Sequence, residues 1–260
     1  MAKGEALGAL ALTEPNAGID LLSQQTEGKP VQGGYQVSGN KIFICNAELA
    51  YYFLILFRTS PEISADSFTL GVVEKGTPGF SVGKKEETMG LRGHGLGELI
   101  LDECFIPEEN ILGSPGEGLM YALTKAGVWG DLGVAATATG AAQGCMDMCK
   151  SYAQKRIAFG GPIANQQVIQ SYIGEMSLSI DTARLVLHKA AENWNQGVQS
   201  PDNYWKPRVF CPEVAEKVSG LTQKIYGAQS YSLEYPVARF IKDIHGLPFV
   251  YGTPDLLKLS

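Results

Sequence analysis

The sequence predicts an α+β protein with a β-rich first domain and a helical second domain. Up to about Gly113, short apolar runs alternate with clusters of glycine and proline. After Ser114-Pro115-Gly116, long stretches repeat apolar residues at intervals of three and four. Short strands without long helices between them favour an antiparallel barrel or sandwich, and helices with one apolar face favour a bundle. We therefore divide the chain into residues 1–113 and 114–260.

Five runs in the first domain have the length and composition of strands. They are bounded by turn-forming clusters such as Gly28-Lys29-Pro30 and Gly76-Thr77-Pro78-Gly79. The runs are residues 7–13, 35–37 continuing into 41–45, 51–58, 68–74 and 97–105. Their spacing does not distinguish a barrel from a sandwich.

Three helices are predicted in the second domain. The first extends from about residue 118 to 154, and its middle is rich in alanine and glycine, which lets a neighbouring helix approach closely. The second places apolar residues on one face from Ile173 to Trp194. The third begins at Pro212 and stops at Gly227, which matches the preference for proline at the start of a helix and glycine after its end.

The composition argues against several classes of function. With 260 residues and a net charge of −6, the chain has no basic stripe that would bind nucleic acid or an anionic membrane. No apolar run reaches the roughly 18 residues of a membrane span, and the N-terminus lacks the pattern of a secretory signal. The five cysteines form no CxxC pair, which is typical of reduced thiols. We expect a cytoplasmic protein.

Generic motifs do not reveal the chemistry. The segment Gly93-His94-Gly95-Leu96-Gly97 precedes a predicted strand and lacks the glycine spacing of a dinucleotide-binding loop. The three histidines of the chain have no zinc-site spacing and complete no nucleophile triad. The sequence therefore predicts no metal site.

Four segments taken in order are more informative. They are residues 9–20 (ALALTEPNAGID), 39–47 (GNKIFICNA), 89–93 (MGLRG) and 156–160 (RIAFG). With Glu234-Tyr235-Pro236-Val237 and Lys242-Asp243, they make the chain resemble the flavin-dependent acyl-CoA dehydrogenase family along its whole length.

The resemblance implies a fold, a cofactor and a reaction. The fold is an antiparallel β-barrel followed by an up-down four-helix bundle, with FAD held by both. The reaction is the α,β-dehydrogenation of an acyl-CoA thioester, or its reverse, within fatty acid metabolism. An electron-transfer flavoprotein or a similar acceptor and a homo- or hetero-oligomer are implied as well. Family members begin with a helical domain that this sequence lacks, so a separate N-terminal-domain partner is a further possibility.

The resemblance assigns several residues to the flavin ring. A flavin that accepts hydride becomes anionic, so donors at a strand end stabilise it. Thr13 and the backbone of Leu10 and Leu12 resemble these donors. Phe43 occupies the aromatic position that packs on the flavin, although a place in the β core is an equal alternative. Cys45 replaces a usual threonine, and its thiol is a weaker donor.

Other residues resemble those that bind the rest of the cofactor. Arg156, Phe159 and Gln167 match the residues that one subunit lends to the ADP half of its neighbour's FAD, and a solvated helix end is the alternative interpretation. Gly227 is the one glycine kept from a stretch with three in the family, where Lys224 and Ala228 differ. The resemblance also places Thr253 at the cofactor.

The positions implied for the substrate depart from the family. Ile19 replaces a serine, and Val128 and Asp131 stand where relatives have an aspartate and an arginine. Removing a proton from Cα of a thioester needs a positioned base, usually a carboxylate. That glutamate falls on Tyr251, whose phenol is a poor base but a plausible proton donor. A second base position known in some relatives falls on Gly130.

These departures leave two interpretations open. The first is an acyl-CoA dehydrogenase family oxidoreductase with Tyr251 at the proton-transfer position. The second is a catalytically impaired or non-catalytic subunit that keeps the fold and completes the site of a partner.

Overall fold

The computed structural model describes residues 2–198, 200, 202–250 and 252 of the chain. They form two compact units. The sheet unit comprises Met1–Thr88 and Arg92–Gly127, and the helical unit comprises Met89–Leu91 and Val128–Ser260. The predicted α+β class is confirmed, because a sheet of eight strands and a set of long helices are both present. The boundary at residue 113 stays a prediction.

The sheet has the order β6-β7-β3-β2-β4-β5-β8, with β1 beside β4. Its strands are β1 (Gly8–Ala11), β2 (Glu27–Val31), β3 (Gly34–Ile44), β4 (Tyr52–Arg58), β5 (Phe68–Glu74), β6 (Phe80–Lys85), β7 (Gly97–Pro107) and β8 (Ile111–Leu112). Among the described strands this path has two ends, β6 and β8, and no closed barrel is found.

The expectation of a wholly antiparallel sheet is wrong. Strand β4 pairs in parallel with β1 and, at one residue pair, with β2. The other ladders, from β2–β3 to β6–β7, are antiparallel. Parallel neighbours need a long connection, and the chain between β1 and β4 provides one because it contains β2 and β3.

The strand predictions are confirmed for β1, β3, β4, β5 and β7. The predicted turn at Gly28-Lys29-Pro30 is wrong, because these residues lie inside β2. Strand β2 instead turns into β3 at Gly33, which adopts a positive φ of 80°. Strands β6 and β8 were not predicted. The strand runs bury a common core that includes Phe53, Ile55 and Phe57 of β4.

The long helices belong to the helical unit. They are α2 (Val128–Lys155), α3 (Gln167–Asn195) and α4 (Asp202–Tyr226), followed by the shorter α5 (Pro236–Ile244). A two-stranded hairpin of β9 (Ile157–Ala158) and β10 (Gly161–Pro162) separates α2 from α3. The predicted helix 118–154 is confirmed with one irregularity: α1 (Gly118–Tyr121) passes through a π-helical segment, Ala122–Gly127, directly into α2.

The predicted start of the third helix is wrong, whereas its end is confirmed. Helix α4 begins at Asp202, so Pro207 and Pro212 lie inside it. A proline removes one helical hydrogen bond, but burial of Cys211, Val214 and Val218 in the core of the unit offsets that loss. The helix ends at Tyr226, and Gly227 adopts the positive φ of 59° that favours glycine at this place.

The small residues of α2 do allow a close approach, at Gly144. A Cβ added there would lie 2.7 Å from the ring of Phe240 in α5, whereas a Cβ at Gly140 would meet nothing within 4 Å. We expect Gly140→Ala to stabilise the protein by about 0.5–1 kcal/mol, because alanine loses less backbone entropy in a helix. Gly144→Ala should instead cost about 1–3 kcal/mol through overpacking. Urea unfolding of both variants measures the difference, and equal effects would contradict the close approach.

Candidate functional site

Strand β1 has one edge paired with β4 and one edge without a strand partner among the described residues. On the β4 side, Leu7 O accepts a hydrogen bond from Tyr51 N at 2.9 Å. Because the peptide groups of successive residues alternate in direction along a strand, those of Leu10 and Leu12 face the other edge. Leu12 O accepts a hydrogen bond from Lys41 Nζ at 3.1 Å there. The structure therefore directs the N–H groups of Leu10 and Leu12 along one edge.

Lys41 fixes the end of β1 through a buried network that the sequence reasoning missed. Its fully buried ammonium donates to Leu12 O, and to Glu14 Oε1 and Gln24 Oε1 at 2.8 Å each. Burial lowers the pKa of Lys41 to about 8, although Glu14 opposes the shift. Burial raises the pKa of Glu14, but the ammonium outweighs it and leaves the value below its ordinary range. The signal for this network in the sequence is the position of Lys41 within a predicted apolar strand.

Beyond β1, the chain places Thr13 next to β3. Thr13 O accepts a hydrogen bond from Ile42 N at 2.9 Å, and the Thr13 side chain is partly exposed. Ile19, in the following turn, is about half exposed. The structure therefore brings Leu10, Leu12 and Thr13 together at one strand end.

Phe43 does not belong to the β core. It is 53% exposed and has a positive φ of 56°, at an irregularity in the pairing of β3 with β7. Such irregularities redirect side chains, and a positive φ in an aromatic residue is costly unless neighbouring structure imposes it. The alternative of a core residue is therefore wrong, and the ring is available to a ligand.

Cys45 is paired with a histidine. Its Sγ lies 3.6 Å from Nδ1 of His94, and Asn46 N donates to His94 O at 2.8 Å. Burial raises the pKa of the Cys45 thiol. The thiol form is therefore favoured at neutral pH, and it can donate a weak hydrogen bond.

In the helical unit, three residues assigned to the ADP half of FAD lie around the hairpin between α2 and α3. Arg156 directly follows α2, Phe159 is at the hairpin tip, and Gln167 is the first residue of α3. All three are exposed, and Phe159 is 93% exposed with a φ of 54°. Gly227, also exposed, ends α4 in the same unit.

The two remaining family motifs in this unit meet directly. Asp243 Oδ1 accepts a hydrogen bond from Leu91 N at 2.6 Å. A Cβ on Gly90 would lie 2.4 Å from Lys242 O. Residues 90–91 and 242–243, which belong to two motifs of the resemblance, are thus neighbours in space.

Asp131 and Val128 are not free to bind a substrate in the way the family positions imply. Val128 is buried. Asp131 Oδ1 lies 3.6 Å from Nε of Arg208, a fully buried arginine of α4 that sequence reasoning did not identify. Burial raises the pKa of Asp131 to about 6, although Arg208 opposes this shift. Tyr251 and Thr253 lie outside the described residues.

Comparison with known proteins decides the family. The sequence profile of the acyl-CoA dehydrogenase middle domain matches residues 9–104, and that of the C-terminal domain matches residues 116–259. The chain belongs to the acyl-CoA dehydrogenase family. Among the relatives of this family member, an acyl-CoA dehydrogenase of Bacillus subtilis (strain 168) is 36% identical over the whole chain. An acryloyl-CoA reductase (NADH) of Anaerotignum propionicum is also 36% identical.

Solved structures of the family agree with this assignment. Butyryl-CoA dehydrogenase from Megasphaera elsdenii superposes with a TM-score of 0.95 at 33% identity, covering 98% of this chain and 66% of its own. The acyl-CoA dehydrogenase fold is therefore shown. The family member described here spans 68% of the Bacillus subtilis relative and 66% of the Anaerotignum propionicum relative.

Two further properties concern the described residues only. No helix among them combines the length and apolar character needed to cross a membrane. No group of three or more histidine, cysteine, aspartate or glutamate side chains is placed to hold a metal ion within that part of the chain.

Proposed function

We propose that this family member binds FAD and catalyses the α,β-dehydrogenation of an acyl-CoA thioester or the reverse reduction. The observation that carries the proposal is the free edge of β1, where Leu10 and Leu12 direct their N–H groups. An anionic reduced flavin is stabilised by donors at its ring edge. The donor set fits the cofactor, because these N–H groups and the Thr13 hydroxyl lie at one strand end.

The protein's contribution is to hold these donors in place. When bound, FAD supplies the acceptor for a hydride from the thioester Cβ. Lys41 keeps the carbonyl of Leu12 turned inward and thereby fixes the direction of the donor peptides. Phe43 offers an exposed ring, and Cys45 a weak donor, to the flavin. Arg156, Phe159, Gln167, Gly227 and Thr253 are proposed for the remainder of the cofactor.

The proton-transfer position favours the reductive direction. Tyr251 stands where the family has its glutamate, and a phenol with a pKa near 10 donates a proton more readily than it accepts one at neutral pH. Of the proposed substrate residues, Ile19 is exposed, whereas Val128 is buried and Asp131 is paired with Arg208. The name of the acryloyl-CoA reductase relative is consistent with a reductive role.

We propose the finer architecture and the partners by analogy with the family. The sheet unit would complete a β-barrel and the helices a four-helix bundle. A homo- or hetero-oligomer in the cytoplasm, a role in fatty acid metabolism and a separate N-terminal-domain partner belong to the same proposal. A solved structure of an electron transferring flavoprotein system of Acidaminococcus fermentans superposes with a TM-score of 0.96, which supports a flavoprotein acceptor.

A non-catalytic subunit is the second candidate. Two observations favour it: Tyr251 carries no carboxylate, and Arg156, Phe159 and Gln167 are exposed, as residues lent to a neighbouring subunit must be. Such a subunit would complete the cofactor site of a partner without catalysing the reaction itself.

We expect the purified protein to carry an oxidised flavin absorption band that changes on anaerobic titration with acyl-CoA or enoyl-CoA thioesters. The donors on β1 predict cofactor retention because they bind the ring edge. A flavin band that no thioester perturbs would support the non-catalytic subunit. A protein that takes up no FAD even after incubation with excess cofactor would contradict the proposed cofactor site, both for an oxidoreductase and for a non-catalytic subunit. Thr13→Ala and Thr77→Ala, at a partly exposed threonine in the turn before β6, form a matched pair, and only the first should weaken FAD binding.

A further inference from the structure

Arg208 connects three separate parts of the helical unit. It lies in α4, between Pro207 and Pro212, and its side chain is 0% exposed. Its Nη2, which has two hydrogens to donate, lies 3.0 Å from Pro248 O and from Gly252 O, and it is also within hydrogen-bond distance of Val250 O. These carbonyls belong to alternate residues of the segment that follows α5.

The segment from Pro248 to Gly252 depends on this guanidinium. Its own backbone hydrogen bonds are long: Phe249 N to Gly246 O and Val250 N to Leu247 O both measure 3.3 Å. Hydrogen bonds from a charged donor are roughly twice as strong as neutral ones. Three carbonyls on one buried cation therefore define the path of the backbone on both sides of position 251.

Asp131 fixes the guanidinium from the opposite side. Its Oδ1 lies 3.6 Å from Arg208 Nε, and it is part of the first turn of α2. The Asp131 side chain is 22% exposed, so the ion pair is not completely enclosed by protein. Among the described residues, Nε and Nη1 of Arg208 are buried and have no hydrogen-bond partner, so the anchors of this side chain are the three carbonyls and an ion pair with Asp131 that is too long for a hydrogen bond.

We propose that Arg208 is a positioning residue that holds Pro248, Val250 and Gly252, the described residues next to position 251, and that Asp131 supports Arg208 in this role through their ion pair. Sequence comparison alone assigns Asp131 to a substrate position, whereas the geometry assigns it to the support of the proton-transfer segment. The inference rests on the proposed function only for the importance of position 251; the positioning itself is independent of catalysis.

Hydrogen exchange of the full chain tests the positioning directly. Arg208→Met is expected to speed exchange at the amides of 249 and 250 by roughly 10- to 100-fold, the effect of losing charge-assisted hydrogen bonds. The amides of α3 should change by less than about threefold, because local opening is separate from global unfolding. Arg184→Met, which removes an exposed arginine of α3 that contacts Asp181 and Gln143, is the matched control and should leave the amides of 249 and 250 unchanged.

Two milder variants keep the test informative if Arg208→Met does not fold. Arg208→Lys keeps a positive charge but lacks the planar fork, so its effect should lie between wild type and Arg208→Met. Asp131→Asn keeps the shape and should speed exchange at the same amides by a smaller factor. The proposal is overturned if the exchange at 249 and 250 does not change, or if α3 exchanges faster by the same factor in all three variants.

A kinetic readout separates positioning from a purely structural role. In a Tyr251→Glu protein, adding Arg208→Lys should lower kcat by about tenfold or more while KM changes little, because a displaced base loses transition-state contacts. A rise in KM with constant kcat would contradict positioning. If Tyr251→Glu has no dehydrogenation activity, the missing base is not the limiting feature of the proposed function, while the exchange experiment still decides the role of Arg208.

Discussion

Lys41→Met is expected to destabilise the protein by about 3–5 kcal/mol, because it leaves the buried carboxylate of Glu14 without its cation. The lysine is fully buried and also donates to Gln24 and to the carbonyl of Leu12. Equilibrium unfolding in urea measures the loss. Cofactor binding should weaken in the same variant, since the end of β1 loses its anchor.

The matched control is Lys85→Met. Lys85 forms an ion pair with Glu48 at 3.0 Å, but both side chains are about half exposed. Exposed pairs contribute roughly 0–1 kcal/mol, so the two lysine variants should differ several-fold. The double variant Glu14→Gln/Lys41→Met should recover part of the stability, because no unpaired buried charge remains. Equal losses for Lys41→Met and Lys85→Met would show that the buried pair has no special role.

Tyr251→Glu is expected to raise the rate of thioester dehydrogenation by about 10²–10⁴, the usual contribution of a positioned general base. This corresponds to roughly 3–5 kcal/mol of activation barrier. The measurement is the rate of anaerobic flavin bleaching by a saturating acyl-CoA in a stopped-flow instrument.

Two variants control this experiment. Tyr251→Gln matches the size of glutamate without its charge and should give no gain. Tyr251→Phe removes the phenol alone and should slow only the reductive direction, because a proton donor is lost. If Tyr251→Glu retains flavin yet gains nothing, the departures at Val128 and Asp131 rather than the missing base limit the chemistry.

The sequence was a good guide to elements whose signal is local. The runs that became β3, β4 and β5 alternate apolar and polar residues or carry β-branched and aromatic side chains, and such patterns need no tertiary information. The end of α4 at Gly227 follows from the backbone freedom of glycine in the same way. The family segments could be identified in the sequence for a similar reason, because each is short and continuous.

Local signals failed where distant residues decide the outcome. Pro30 predicts a turn and Pro212 predicts the start of a helix. Both residues nevertheless lie inside regular elements, a strand and a helix. Pairing with β3 and burial against the helical core stabilise those segments by more than the missing hydrogen bond costs. The parallel pairing of β1 with β4 depends likewise on residues more than 40 positions apart in sequence.

Residue identity and local periodicity are enough to predict the family and the α+β class, and the resemblance predicts Tyr251 at the position of the family's glutamate. The support of Leu12 by Lys41, and the link that Arg208 makes between Asp131 and the carbonyls of residues 248, 250 and 252, became visible in the folded chain alone. A lysine or arginine in an amphipathic pattern is ordinarily a solvated surface residue. Whether such a side chain is buried, and therefore how strongly its charge interacts with its neighbours, depends on groups that come together only when the chain folds.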